Sequence, residues 1–143
     1  MNAERFSLEW LADPRGFAVN RLRPFSDHAI FASTEEAHQK ASSLKKSLRG
    51  AWRLRFAPNP EAAPLDFWRE GFDDAAFDTV QVPGHLELQG YGRVQYVNTQ
   101  YPWDGLEQLA IGETPREHNT VGCYVKRFSL TAAEAASRVV LTM

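Results

Sequence analysis

Apolar and polar residues alternate with a period of two in several short stretches of this chain. Trp52, Leu54 and Phe56 alternate with Arg53 and Arg55, the pattern of a strand with one face buried. Thr79 to Val82 forms a second short run and Val121 to Leu130 a third, and an apolar run from Arg138 to Met143 makes a fourth. Pro58, Pro60 and Pro64 stop the first run, and Pro83-Gly84 stops the second, because proline cannot donate to a ladder and glycine weakens a strand interior. The pattern predicts a mainly β, antiparallel fold with four strands.

The intervening segments read differently. Residues 1–33 read as an extended arm interrupted by Pro14, Gly16 and Pro24, with Trp10, Leu11, Phe17, Val19, Leu22, Phe25, Ile30 and Phe31 spread along it. Such an arm cannot build a core and must dock its apolar side chains elsewhere. Ser33 followed by Glu36 fits a capping box and predicts a short surface helix through Ala41. Leu65 to Gly71 is expected to form another short helix, and Asp73 to Phe77 a turn. From His85 to Asn119 no period survives, and six glycines and prolines punctuate a loop rich in Tyr, Trp, Gln and Asn. A loop this long is functional or disordered, and its aromatic content argues for order. Pro102 within it is a candidate for a cis bond.

Charge and composition exclude several classes. Sixteen basic and eighteen acidic residues give a net charge of −2, with no basic stripe for nucleic acid and no polybasic patch for a membrane. No apolar run approaches the ~20 residues of a membrane span, and the first ten residues do not resemble a signal peptide. The expected location is the cytoplasm. The single cysteine, Cys123, cannot support a disulfide framework,. His28, His38, His85 and His118 are scattered, without the close spacing of metal ligands, so no metal site is expected in this segment. Glycoside hydrolysis needs two carboxyl groups held about 5–10 Å apart across the bond. Asp73 with Asp74 and Glu35 with Glu36 read instead as solvated surface charge, so no catalytic residue is assigned. His85 is expected to be a hydrogen-bonded structural residue.

Five short stretches, in order, carry a family resemblance. They are Asn20-Arg21-Leu22 with Ser26-Asp27-His28; Ser47 to Leu54; Val82 to Gly92; Gln95 to Gly105, which contains Tyr96-Val97-Asn98 and Tyr101-Pro102-Trp103; and Asn119 to Tyr124. Together, over residues 18 to 130, they resemble the amino-terminal, sugar-binding jelly-roll segment of the large bacterial β-galactosidases of glycoside hydrolase family two. Arg49 stands where the family usually has Asn before Gly50, and Thr120 where it usually has Pro, which alters local turns.

The resemblance implies a galactose-binding-like β-sandwich. Four strands are about half of a jelly roll's eight, so the sandwich is expected to be incomplete at the C-terminus. It divides into an interface arm, residues 1–33, and the first part of the sugar-binding domain, residues 34–143. It implies a parent enzyme that hydrolyses terminal β-D-galactosides such as lactose by a retaining mechanism with two glutamates, both on a later (β/α)₈ barrel. This segment alone is expected to be inactive. The family's first domain sends a loop into the barrel's site. By resemblance Asn98 contacts galactosyl hydroxyls, a role that suits an amide able both to donate and to accept. Tyr96 and Trp103 are the accompanying substrate-binding candidates, Trp103 also serving as a brace of the loop. No cofactor is expected within the segment, and magnesium and sodium are implied for the full-length enzyme. The implied partners are a galactoside, the barrel and further copies in a homo-oligomer. A stand-alone carbohydrate-binding module on the same fold is the alternative.

Overall fold

The computed structural model describes residues 9–16, 18, 21–24, 29–96 and 98–142. Three strands, β1 (Gly50–Ala57), β2 (Asp78–Val82) and β3 (Val121–Val125), form one antiparallel sheet in the order β2-β1-β3. The long alternating run is thus the central strand. Trp52 lies opposite Val80, Leu54 opposite both Asp78 and Tyr124, and Phe56 opposite Gly122. Directly opposed residues share a face, so Trp52, Leu54, Phe56, Val80 and Tyr124 make one apolar layer. Leu54 is fully buried there and Val80 nearly so. The Trp52 ring meets the Tyr124 ring edge-on at 6.4 Å, and its indole N–H donates to the Leu48 carbonyl at 2.7 Å.

The opposite face buries Ala57 and Cys123, and its arginines are structural. The Arg53 guanidinium donates to the carbonyls of Asp74 (2.8 Å) and Ala75 (2.9 Å) and to Thr79 Oγ1. Arg127 pairs with the Asp74 carboxylate and donates to the Phe72 carbonyl. The turn at 73–77 is therefore riveted to the sheet. Asp74, which its sequence suggested was plain surface charge, is a mostly covered ion-pair partner; the Arg127 hydrogen bond holds its carboxyl below the usual carboxylate range.

The mainly β class stands, while several element boundaries differ from those read in the sequence. The third run stops at Val125, and residues 138–142 form no strand; an apolar run takes strand geometry only where a ladder partner satisfies its backbone. Residues 65–71 are turns rather than a helix, with Asp66 at φ 61°, a left-handed angle that no α-helix contains. Besides the expected helix, two more short α-helices occur, Glu9–Ala12 in the arm and Ala132–Ala135. The expected helix, Thr34–Gln39, is capped by Ser33 as read, but Lys40 turns left-handed at φ 54° and ends it early. Glu36 reaches back to the amide of Ala32, one residue beyond the expected partner. The cis bond is at Val82–Pro83; the Tyr101–Pro102 bond is trans. In the arm, Phe17, Val19, Phe25 and His28 lie outside the described residues.

Two side chains finish the sheet's surroundings. Glu87–Gln89 makes a single 3₁₀ turn after β2. The Gln89 carboxamide folds back on that strand, accepting from the Gln81 amide at 2.7 Å and donating to the Gln81 carbonyl at 3.1 Å. Glu134 closes a capping box with Thr131 and binds Lys46.

The backbone N–H of Thr131, then Lys46 and the Thr131 hydroxyl, lower the Glu134 carboxyl from 4.5 to about 2. A depressed carboxyl contributes stability that is complete above its unfolded value and is lost as pH falls through its folded value. The helix Ala132–Ala135 is therefore expected to keep its cap at pH 5 and lose it between 4.5 and about 2. The Thr131 amide shift, followed by NMR, measures this; a midpoint near 4.5 would show that the box does not persist.

Candidate functional site

The loop from Tyr91 to Glu107 is held by two posts, one on the sheet and one on the segment that precedes β3. The first post is Tyr91. Its ring packs on Phe56 of β1 at 5.8 Å, and its amide donates to the Leu86 carbonyl at 3.0 Å. Burial, followed by the hydrogen-bonding Asp78 carboxylate, pushes the Tyr91 phenol up. Gly92 follows at φ 72°, with Phe56 3.5 Å from where a Cβ would stand. A side chain there would carry a left-handed strain and crowd the Tyr91–Phe56 contact.

The second post is Glu107. Its amide donates to the Trp103 carbonyl at 3.0 Å. Its carboxylate accepts from the successive amides of Arg116, Glu117 and His118, and from His118 Nδ1 at 3.3 Å. The donors are shared unevenly, with the Arg116 amide on Oε2 and the Glu117 amide, the His118 amide and the His118 ring on Oε1. The side chain is only 14% exposed, and the Arg116 amide leads the contacts that lower its carboxyl below its ordinary value. Asn119, next in the chain, donates to the Pro115 carbonyl and leads into β3.

Between the posts the contacts are local. Tyr101 and Trp103 stack face to face, with centroids 5.0 Å apart and planes 5° from parallel. The Tyr101 amide donates to Asp104 Oδ2, and the Leu106 amide to the Trp103 carbonyl, both at 2.9 Å. The stacked pair thus forms a rigid elbow. Tyr96 is 91% exposed. Asn98 is exposed too, and its side-chain amide hydrogen-bonds to no described residue. Val97 lies outside the described residues.

Of the three residues singled out in the sequence, only Tyr96 lines the groove on this loop. That groove, about 320 Å³, is also bordered by Arg93, Gln100, Tyr101 and Asp104. Trp103 is half-buried, with one ring face covered by Tyr101. Asn98 stands on the exposed stretch outside the groove lining. His85 is exposed and contributes only its carbonyl, to Gln89, so it is not the hydrogen-bonded side chain expected of it. Among the described residues no group of three or more His, Cys, Asp or Glu could hold a metal ion.

Glu107 and Gln89 escaped the sequence reading altogether. Each acts through partners eight to eleven residues away, beyond the reach of the three- and four-residue spacings that mark caps and helix pairs. The surplus of acids around 107–117 was the only trace.

Residues 45–143 match the family described as Glycosyl hydrolases family 2, sugar binding domain. The chain is 46% identical over 125 residues to a β-galactosidase of Halalkalibacterium halodurans, covering 87% of this chain and 12% of that protein. It is 43% identical over 147 residues to a β-galactosidase large subunit of Leuconostoc lactis, covering 94% of this chain and 23% of that one. Against a β-galactosidase of Streptococcus thermophilus it is 42% identical over 142 residues, 99% of this chain and 14% of the relative. The chain thus spans between an eighth and a quarter of these relatives' lengths.

Proposed function

We propose, from the premise that the chain belongs to the family Glycosyl hydrolases family 2, sugar binding domain, that it is the amino-terminal portion of a β-galactosidase and supplies that enzyme's substrate-facing loop. The observation that carries this reading is the two-post loop. One end packs on the sheet at Tyr91 and the other is held through Glu107 by the 116–118 segment that leads to β3, while Tyr96 and Asn98 on its span are exposed. A free, exposed amide on a fixed loop can read a sugar hydroxyl as donor or acceptor. Tyr96 offers a ring beside it, and the Tyr101–Trp103 elbow keeps the span from collapsing.

In this reading bond cleavage belongs to two glutamates elsewhere in the polypeptide, acting as acid/base and nucleophile in a retaining mechanism. Residues 34–143 form the sugar-binding unit and residues 1–33 the docking arm. The exposed apolar side chains support a docked role over a free-standing module. Leu88, Val94, Leu106 and Ile111 are all more than half exposed, and such surface marks a contact with more protein. The barrel and other copies of the enzyme are the partners it suits.

Asn98→Ala in the full-length enzyme tests the reading. One hydrogen bond to a neutral hydroxyl contributes about 0.5–1.5 kcal/mol, so the galactoside KM is expected to rise roughly 2- to 13-fold. An unchanged kcat would mark uniform binding, and a fall would mark a contact that strengthens in the transition state. Kinetic constants identical to wild type would remove Asn98 from the site.

A further inference from the structure

Glu107 is unusual among the chain's carboxylates. The others among the described residues that bind backbone amides reach no more than seven residues along the chain: Asp13 to 15, Glu36 to residues 32 and 43, Asp73 to 75, Asp104 to 101, Glu113 to 110, Glu134 to 131. Among the described residues, Glu107 alone gathers three consecutive N–H groups, nine to eleven residues on, and a neighbouring imidazole. Successive amides that converge form a concavity suited to an anion, and here the anion is the chain's own side chain. The same residue's backbone N–H closes the elbow on the Trp103 carbonyl. One residue therefore joins the end of the exposed loop to the segment that enters β3, and β3 pairs with β1 at the core.

We infer that Glu107 is the positioning residue of the sugar-facing loop: its carboxylate fixes where the Tyr101–Trp103 elbow sits and thereby where Asn98 is presented. The inference rests on the reading that this loop faces the sugar, and it specifies how the loop is held there. Glu107 itself touches no substrate. It borders, with Arg116 and Glu113, a separate cavity of about 330 Å³. Removing the carboxylate leaves the amides of 116–118 without their acceptor and unties the loop at one end, while the Tyr91 post and the sheet remain. The span then samples many positions, and a contact made by Asn98 loses its preorganisation.

The test uses Glu107→Ala and the milder Glu107→Gln, which keeps one acceptor oxygen, in the full-length enzyme, each alone and combined with Asn98→Ala. Hydrogen exchange of the Asp104 and Leu106 amides should quicken roughly tenfold or more in Glu107→Ala, while the Leu54 and Phe56 amides keep their protection, the mark of local rather than global opening. Glu107→Gln should fall between the alanine variant and wild type. For galactoside, KM should rise in Glu107→Ala, and most of that rise should vanish when Asn98 is already alanine, because residues acting through one contact are not additive. Two results overturn the inference: unchanged exchange at Asp104 and Leu106, or an equal KM penalty with and without Asn98. If Asn98→Ala alone leaves KM unchanged, the sugar-facing reading fails, and exchange at the elbow still decides whether Glu107 is its anchor. Should Glu107→Ala not fold, Glu107→Gln carries both measurements.

Discussion

Replacing Leu54 by alanine is expected to destabilise the chain by about 2–5 kcal/mol. Leu54 lies midway along the central strand with no exposed surface, and both neighbouring strands lie opposite it. Only Leu54, Ala57, Phe77, Val80 and Cys123 are buried hydrophobics among the described residues. With so few, no other side chain can move in to fill the space, so most of the cavity term survives. Whole domains have only about 5–15 kcal/mol of stability, and a core this small belongs to the low end of that range. Urea unfolding should therefore show a midpoint collapsed toward zero denaturant. A shift of less than about 1 kcal/mol would mean that the sheet's apolar layer does not hold the fold.

The second large effect is expected at Gly122, which faces Phe56 from β3. A Cβ there would stand 2.9 Å from a Tyr124 ring carbon, 3.4 Å from Leu54 Cδ1 and 3.6 Å from Leu86 Cδ1. The backbone is not left-handed at this position, so the objection is space alone. Alanine forces the Tyr124 ring to swing, and valine adds two methyls against Leu54 and Leu86. Gly122→Val should cost about 1–3 kcal/mol by overpacking, with Gly122→Ala less. Because the Tyr124 ring rests on Trp52, tryptophan emission should shift in step with the loss. Valine tolerated with unchanged emission would show that the layer has slack.

The central strand could be read from the sequence because its alternation is a local signal, repeated over six residues and bounded by prolines. The turn at 73–77 and the Ser33 cap were legible for the same reason. The run at 138–143 misled because an apolar sequence specifies willingness to pair but not a partner. Asp74 misled differently: its partner, Arg127, is 53 residues away, and the pairing exists only once β1 and β3 are side by side. The candidate site divides along the same line. Tyr96, Asn98 and Trp103 were visible through a short motif, whereas the post that holds them, Glu107, depends on three amides whose convergence is a property of the folded backbone.

The Gln89 carboxamide has a bearing on how this sheet associates. By accepting and donating at Gln81, it does at that point what a neighbouring strand would do. Outward-pointing backbone groups recur every second residue along an edge. Of those on β2, Gln81 is occupied and Pro83 has no N–H, which leaves Thr79 as the lone free rung. The β2 margin is thus partly guarded against another strand at Gln81, the kind of protection that exposed edges need if they are not to aggregate,. The β3 margin, Val-Gly-Cys-Tyr-Val without charge or proline, has no such guard. The sheet is polar in its capacity to grow: a side chain obstructs one margin at Gln81, and a further strand meets less obstruction on the other.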